Sequence, residues 1–183
     1  MAYIKDHAKE FGVNPDRIFV MGFSAGGHLA ASLGTLWHKE YIKNALPDMP
    51  YEKNRPFGMI LSYPVISYFP ETHIGTFTNA VGGEPNEENT REMSIDLHVD
   101  GEHTVPAFLW HTMDDQAVHV ENALRMISAL RRHHVYAEAH LFPHGPHGIS
   151  TADKTIAGEE NIYINDRIAS WVDLATGFMR ELK

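Results

Sequence analysis

The chain has 183 residues, 43% hydrophobic and 21% charged, which is the balance of a folded globule and excludes a disordered or fibrous chain. Its 15 Lys and Arg against 24 Asp and Glu leave a net charge of -9, a field that disfavours nucleic acid and anionic membrane surfaces as partners. The absence of cysteine excludes disulfides, thiolate metal sites and thiol catalysis together.

In chain order, residues 2–11 place Ile4, Ala8 and Phe11 on one helical face, and Gly12 with the turn at 13–16 ends that helix. Residues 18–21 (Ile-Phe-Val-Met) are apolar on both faces, as a strand of a parallel sheet should be. A Gly-rich turn at 22–27 leads into an Ala- and Leu-rich helix over about 25–37. Apolar runs at 59–61, 107–110 and 137–142 give three more strands. Helical stripes are expected from Val120, Leu124, Ile127 and Leu130, and from Ile164, Ile168, Trp171, Val172, Ala175 and Phe178. Residues 67–104, rich in Gly, Pro, Asn, Glu and Thr, read as a cap-like excursion with short helices, since so long a connection is usually functional. The fold class is therefore α/β: one domain over 1–183, with a mostly parallel sheet of about four strands flanked by helices. No apolar run approaches the roughly eighteen residues of a membrane span, and the first residues carry no apolar signal stretch, so a cytoplasmic location is expected.

The local pattern that carries most chemistry is Gly22-Phe23-Ser24-Ala25-Gly26-Gly27, set between a strand and a helix. Small residues at 22 and 26 suit a strand that reverses into a helix within one turn, where two backbones come close. Ser24 is then forced outward to the N-terminal end of a helix, where the Ala25 N–H can face an oxyanion. The plain alternative is a Gly-rich turn with the serine as helix cap.

A serine hydroxyl needs a base, and the base needs an orienting carboxylate. Two aspartates, Asp114 and Asp115, follow the strand that ends at Trp110; two histidines, His144 and His147, follow Phe142. Asp115 is preferred because it lies three residues before Val118, at the tip of the loop entering the next helix. His147 is preferred because it precedes Gly148 at the far end of a loop able to reach back over the sheet. The order is then Ser24, Asp115, His147, the order found with this type of serine turn. With 13 histidines a metal must be weighed, and Asp114, His144 and His147 could converge on a cation. No H-E-x-x-H spacing occurs, however, and neither metal nor cofactor is expected. His28, inside the helix after the turn, reads as a packed or half-buried histidine, and His38, His73, His98, His103 and His140 read the same way.

On these residues the sequence resembles the α/β-hydrolase superfamily, in its acetyl-esterase and carboxylesterase branch with acetyl-xylan-esterase-like enzymes. The resemblance is carried by Asn14 to Ile18, Gly22 to Ala30, Ser62-Tyr63-Pro64-Val65, Trp110-His111-Thr112, Val118 with Val120-Glu121-Asn122, and Phe142 with His147-Gly148. It implies a truncated α/β-hydrolase fold with Ser24 as nucleophile, Asp115 as acid, His147 as general base and the Ala25 N–H in the oxyanion hole. The implied reaction is hydrolysis of short-acyl carboxylic esters, acetylated carbohydrate included. A prolyl-oligopeptidase-type peptidase and a non-catalytic remnant of the fold are the alternatives.

Two positions depart from the pattern. His119 stands where such enzymes commonly carry Pro. Only 23 residues precede Ser24, and they supply neither the strands nor the His-Gly-Gly loop usual before the turn. Residues 18–21 are then expected to form an exposed apolar edge, belonging to a fragment of a longer enzyme or pairing with a partner such as a second copy.

Overall fold

The computed structural model describes residues 1–70, 72–157 and 161–183. The chain opens with two short helices, α1 (Ala2–Asp6) and α2 (Ala8–Phe11). One continuous helix was expected here. His7 interrupts it: the imidazole Nδ1 bonds the Tyr3 carbonyl at 2.9 Å and competes for the acceptor that the backbone uses. Of the expected apolar face only Ala8 is buried, while Ile4 and Phe11 stay exposed. Gly12, at φ 65°, closes the segment in the left-handed conformation that favours glycine.

Strand β1 (Phe19–Phe23) runs into α3 (Ala25–Leu36), followed by α4 (Glu40–Ala45) and β2 (Gly58–Ser62). The excursion after β2 carries α5 (Ile74–Val81), α6 (Glu87–Glu92) and a 3₁₀ turn at Ile95–His98. Then come β3 (Ala107–Thr112), α7 (Glu121–Arg132) and β4 (Ala137–Phe142). The chain ends with α8 (Lys154–Ala157), a 3₁₀ turn at Asn161–Tyr163, α9 (Asp166–Ala169) and α10 (Trp171–Glu181).

The four strands form one parallel sheet in the order β1-β2-β3-β4. Period-two alternation divides its side chains between two layers. Met59, Leu61, Ala107 and Leu109 pack beneath α3 and α7, while Ile60, Phe108 and Trp110 pack against Ile168 of α9 and Trp171, Ala175 and Phe178 of α10. These layers hold β2 and β3 fully buried and leave β1 and β4 as the two edges. Residues 18–21 were expected to be apolar on both faces and exposed as an edge; Met21 is 49% exposed and β1 pairs with β2 alone among the described residues. Arg17 ties this edge to the chain's end by donating to the carbonyls of Met179 and Leu182 at 2.7 and 2.8 Å, which satisfies the last turn of α10.

Two helical faces differ from expectation. In α7 the buried residues are Asn122, Ala123, Met126, Ala129 and Leu130; of the expected stripe Leu130 is buried, Val120 and Ile127 pack half-buried against the core, and Leu124 alone is exposed. The inward face also includes Asn122, whose Oδ1 accepts the backbone N–H groups of Ile66 and Ser67 at 2.8 and 3.1 Å and holds the start of the excursion. At the C-terminus the single stripe over 164–178 is split: Ser170 Oγ donates to the Arg167 carbonyl at 2.7 Å, Ile164 lies outside the helix and Val172 is exposed.

Candidate active site

The end of β1 and the start of α3 meet at Ser24, which has φ 55° and ψ −123°, a conformation costly for a residue with a Cβ. The surroundings hold it there. Its N–H donates to the Ser62 carbonyl at 3.0 Å, and its own carbonyl accepts from Gly27 and Val65 at 3.0 and 3.1 Å. A Cβ on Gly22 would lie 2.0 Å from the Gly26 carbonyl oxygen, and one on Gly27 would lie 2.7 Å from Pro64 Cβ. Crowding therefore requires glycine at 22 and 27. The expectation for Gly26 is corrected, because a Cβ there meets nothing within 4 Å. It is the carbonyl of Gly26, not its side-chain position, that faces the strand.

The Ser24 side chain makes no capping bond to α3. Its hydroxyl instead donates to His147 Nε2 at 2.8 Å, and His147 Nδ1 donates to Asp115 Oδ2 at 2.7 Å. The neighbours fix the tautomer: a carboxylate can only accept, so Nδ1 carries the proton and Nε2 is free to accept from the serine. These three residues lie beyond the C-terminal ends of β1, β3 and β4, the rim where open α/β sheets place their sites.

Asp115 is held from four directions. Oδ1 accepts the N–H groups of Ala117 and Val118, both at 2.9 Å, while Oδ2 accepts from His147 and lies 3.4 Å from His111 Nε2. Burial pushes its carboxyl up, but the bonds from His111, His147 and Val118 outweigh it and hold the group well below the usual carboxylate range. Asp114 and His144, the competing aspartate and histidine, are exposed and pair with each other at 3.0 Å, with Gly145 N–H also donating to Asp114. They form a separate surface pair that fixes the loop carrying His147.

Two contributors had no role assigned from sequence. His111 is fully buried on β3 and its Nε2 lies 2.8 Å from the Val118 carbonyl, so the same ring supports both Asp115 and the loop behind it. Tyr63 stands edge-on to the His147 ring at a centroid distance of 5.0 Å, and its hydroxyl accepts the Ser150 N–H at 3.0 Å. The Trp110-His111-Thr112 and Ser62-Tyr63-Pro64 runs marked both positions, without showing what they touch. His28 is packed, as expected of it, with Nδ1 3.2 Å from the Val65 carbonyl. Ala25, itself exposed, opens α3 and borders a groove of about 450 Å³ between α3 and α5, lined also by His28, Leu29, Ser32, His73 and Thr76.

Comparisons with known proteins place this geometry. The chain is 33% identical over 151 residues to endo-1,4-beta-xylanase B of Butyrivibrio fibrisolvens, covering 82% of this chain and 23% of that protein. It is 32% identical over 149 residues to the acetylxylan esterase of Xylanibacter ruminicola, covering 79% and 28%. The crystal structure of the carboxylesterase Cest-2923 from Lactobacillus plantarum WCFS1 superposes with a TM-score of 0.81 at 29% identity, covering 98% of this chain and 64% of that one. The chain thus spans about a quarter of the length of the curated relatives it matches. Its fold is the α/β-hydrolase fold, represented by four parallel strands. The model of the prolyl oligopeptidase family matches residues 1–164, nearly the whole chain, and it is to this family that the chain belongs.

Proposed function

We propose that the site hydrolyses carboxylic esters through an acyl-enzyme on Ser24. The observation that carries this reading is the unbroken relay from Ser24 Oγ to His147 at 2.8 Å and from His147 to Asp115 at 2.7 Å. His147 Nε2 takes the hydroxyl proton as Ser24 Oγ adds to the ester carbonyl, and the Ala25 N–H donates to the developing oxyanion. The C–O bond to the leaving alcohol breaks as His147 returns the proton to that oxygen. Water then repeats the sequence on the acyl group and restores Ser24. Asp115 stabilises the imidazolium in both halves.

Short acyl groups on carbohydrate are the preferred substrate class, supported by the relative named acetylxylan esterase. The excursion over 67–104 serves as a cap beside the site, since its α5 forms one wall of the groove that Ala25 borders. For the assembly, a second copy paired along β1 is the proposed partner, supported by the open apolar edge. Peptidase chemistry is the second reading, favoured by the family's name. Esters remain preferred because the relatives include a carboxylesterase and an acetylxylan esterase, and an alkoxide departs from a tetrahedral intermediate more readily than an amine.

A fluorophosphonate probe should label wild-type protein at Ser24 and leave Ser24→Ala unlabelled. p-Nitrophenyl acetate should be turned over faster than a proline-terminated dipeptide substrate. Faster peptide cleavage would favour the second reading, and absence of labelling would make the site a non-catalytic remnant.

A further inference from the structure

We propose that His38, Asp100 and His103 bind one divalent transition-metal ion of the zinc or cobalt class, which clips the end of α3 to the loop before β3. Among the described residues this is the group of His, Asp and Glu side chains whose donor atoms all lie within 4.8 Å of one another. Nothing in the ester chemistry uses it. His38 follows the C-terminus of α3, whose 12 residues span about 18 Å from the Ser24 end, so the cluster sits at the opposite rim of the sheet.

The two imidazoles stack with centroids 3.8 Å apart and planes at 18°, and both turn a nitrogen toward the Asp100 carboxylate. His103 Nδ1 lies 3.2 Å from Oδ1, and His38 Nε2 lies 4.0 Å from Oδ2. Oδ1 is already engaged by the backbone N–H groups of Glu102 and His103 at 2.9 and 2.6 Å, which leaves Oδ2 for a ligand. Donors about 2.0–2.2 Å from a tetrahedral ion are roughly 3.3 Å apart, so an ion on Oδ2 requires side-chain rotation: His38 must close from 4.0 Å, and His103 must give up its 3.2 Å bond to Oδ1 and unstack from His38. At 4.0 Å no hydrogen bond accounts for the orientation of His38 toward Oδ2.

The surrounding bonds fix the backbone of the loop that carries Asp100 and His103. Trp37 Nε1 donates to the His103 carbonyl at 2.8 Å, and Asp100 N–H donates to Thr104 Oγ1 at 3.0 Å. All three side chains keep part of their surface in solvent, which gives an ion access and leaves a fourth position for water. His38 Nδ1 is buried without a partner, so that ligand lacks the usual outer hydrogen bond, and the affinity belongs to the weaker range of such sites.

The test is thermal unfolding of EDTA-stripped protein titrated with Zn²⁺, with calorimetry for stoichiometry. One equivalent should bind, and at about a hundredfold excess over Kd the Tm should rise by about 5–10 °C. Asp100→Asn keeps an Oδ1 acceptor for the two backbone amides but removes the carboxylate, so it should fold normally and lose the response. His38→Gln and His103→Gln should lose it as well. A folded Asp100→Asn variant with the wild-type Zn²⁺ response would mean adventitious binding at other histidines and would overturn the proposal, as would wild-type protein that binds no Zn²⁺.

Discussion

Asp114 and Asp115 are adjacent and chemically identical, yet one is buried beneath the imidazole and the other faces solvent. Replacing Asp115 by Asn removes the acceptor that fixes the His147 tautomer, and turnover of p-nitrophenyl acetate should fall by about 10⁴-fold with KM little changed. Asp114→Asn leaves the relay intact and should stay within about tenfold of wild type. A second consequence concerns acid. Asp115 titrates near 3.9 in an unfolded chain and lower in the folded one, so the unfolded state takes up the proton first as pH falls. Its stabilising contribution is complete above about pH 5 and is lost progressively below about pH 4. Denaturant unfolding at pH 7, 4 and 3 should show a steeper acid loss in wild type than in Asp115→Asn. At this scale the three principal residues were legible because their order along the chain reflects the order of the strand ends. His111 was not, since a histidine inside an apolar strand gives no sign that the following loop will fold back over it.

The turn between β1 and α3 confines its glycines unequally. Gly22→Ala drives a methyl into the Gly26 carbonyl, a backbone atom with no freedom to move aside, and should destabilise the protein by about 3 kcal/mol or more. Gly26→Ala meets open space inside a helix and should be neutral or stabilising by up to about 1 kcal/mol, measured by equilibrium denaturation. Motif spacing does not distinguish these positions; only the direction in which each Cα faces does. The same helix buries His28, and desolvation lowers its pKa against the smaller opposing effect of its bond to Val65. The folded state therefore favours the neutral ring, and stability should fall as pH drops below about 6.5, where the unfolded chain gains the proton. His28→Gln should flatten the stability slope between pH 7 and 5.5. Helix existence was readable from periodicity. The place of Asn122 on the inward face of α7 was not, because a buried Asn bonding two distant amides violates the apolar pattern by which the face was assigned.

Parallel strands that are apolar on both faces announced the sheet, and the proposed pairing with a second copy depends on its edges. β4 guards its own edge with Glu138 and His140, polar residues that disfavour pairing with a second chain. β1, by contrast, runs Phe-Val-Met-Gly-Phe without a charge, and no strand pairs with its outer side among the described residues. Two copies related by a twofold axis can pair these edges antiparallel, each supplying the same surface to the other. The net charge of -9 on each copy opposes the approach, so association should strengthen as salt rises from about 0.05 to 0.5 M. Light scattering should therefore show a mass that increases with protein concentration and with salt. Met21→Lys adds a charge to the middle of β1 without touching the triad; it should return the protein to a monomer with unchanged fluorophosphonate labelling of Ser24. A wild-type mass that stays monomeric across concentration and salt would show that the edge is protected within the folded chain, and that its apolar residues serve packing against α3 and α10 alone.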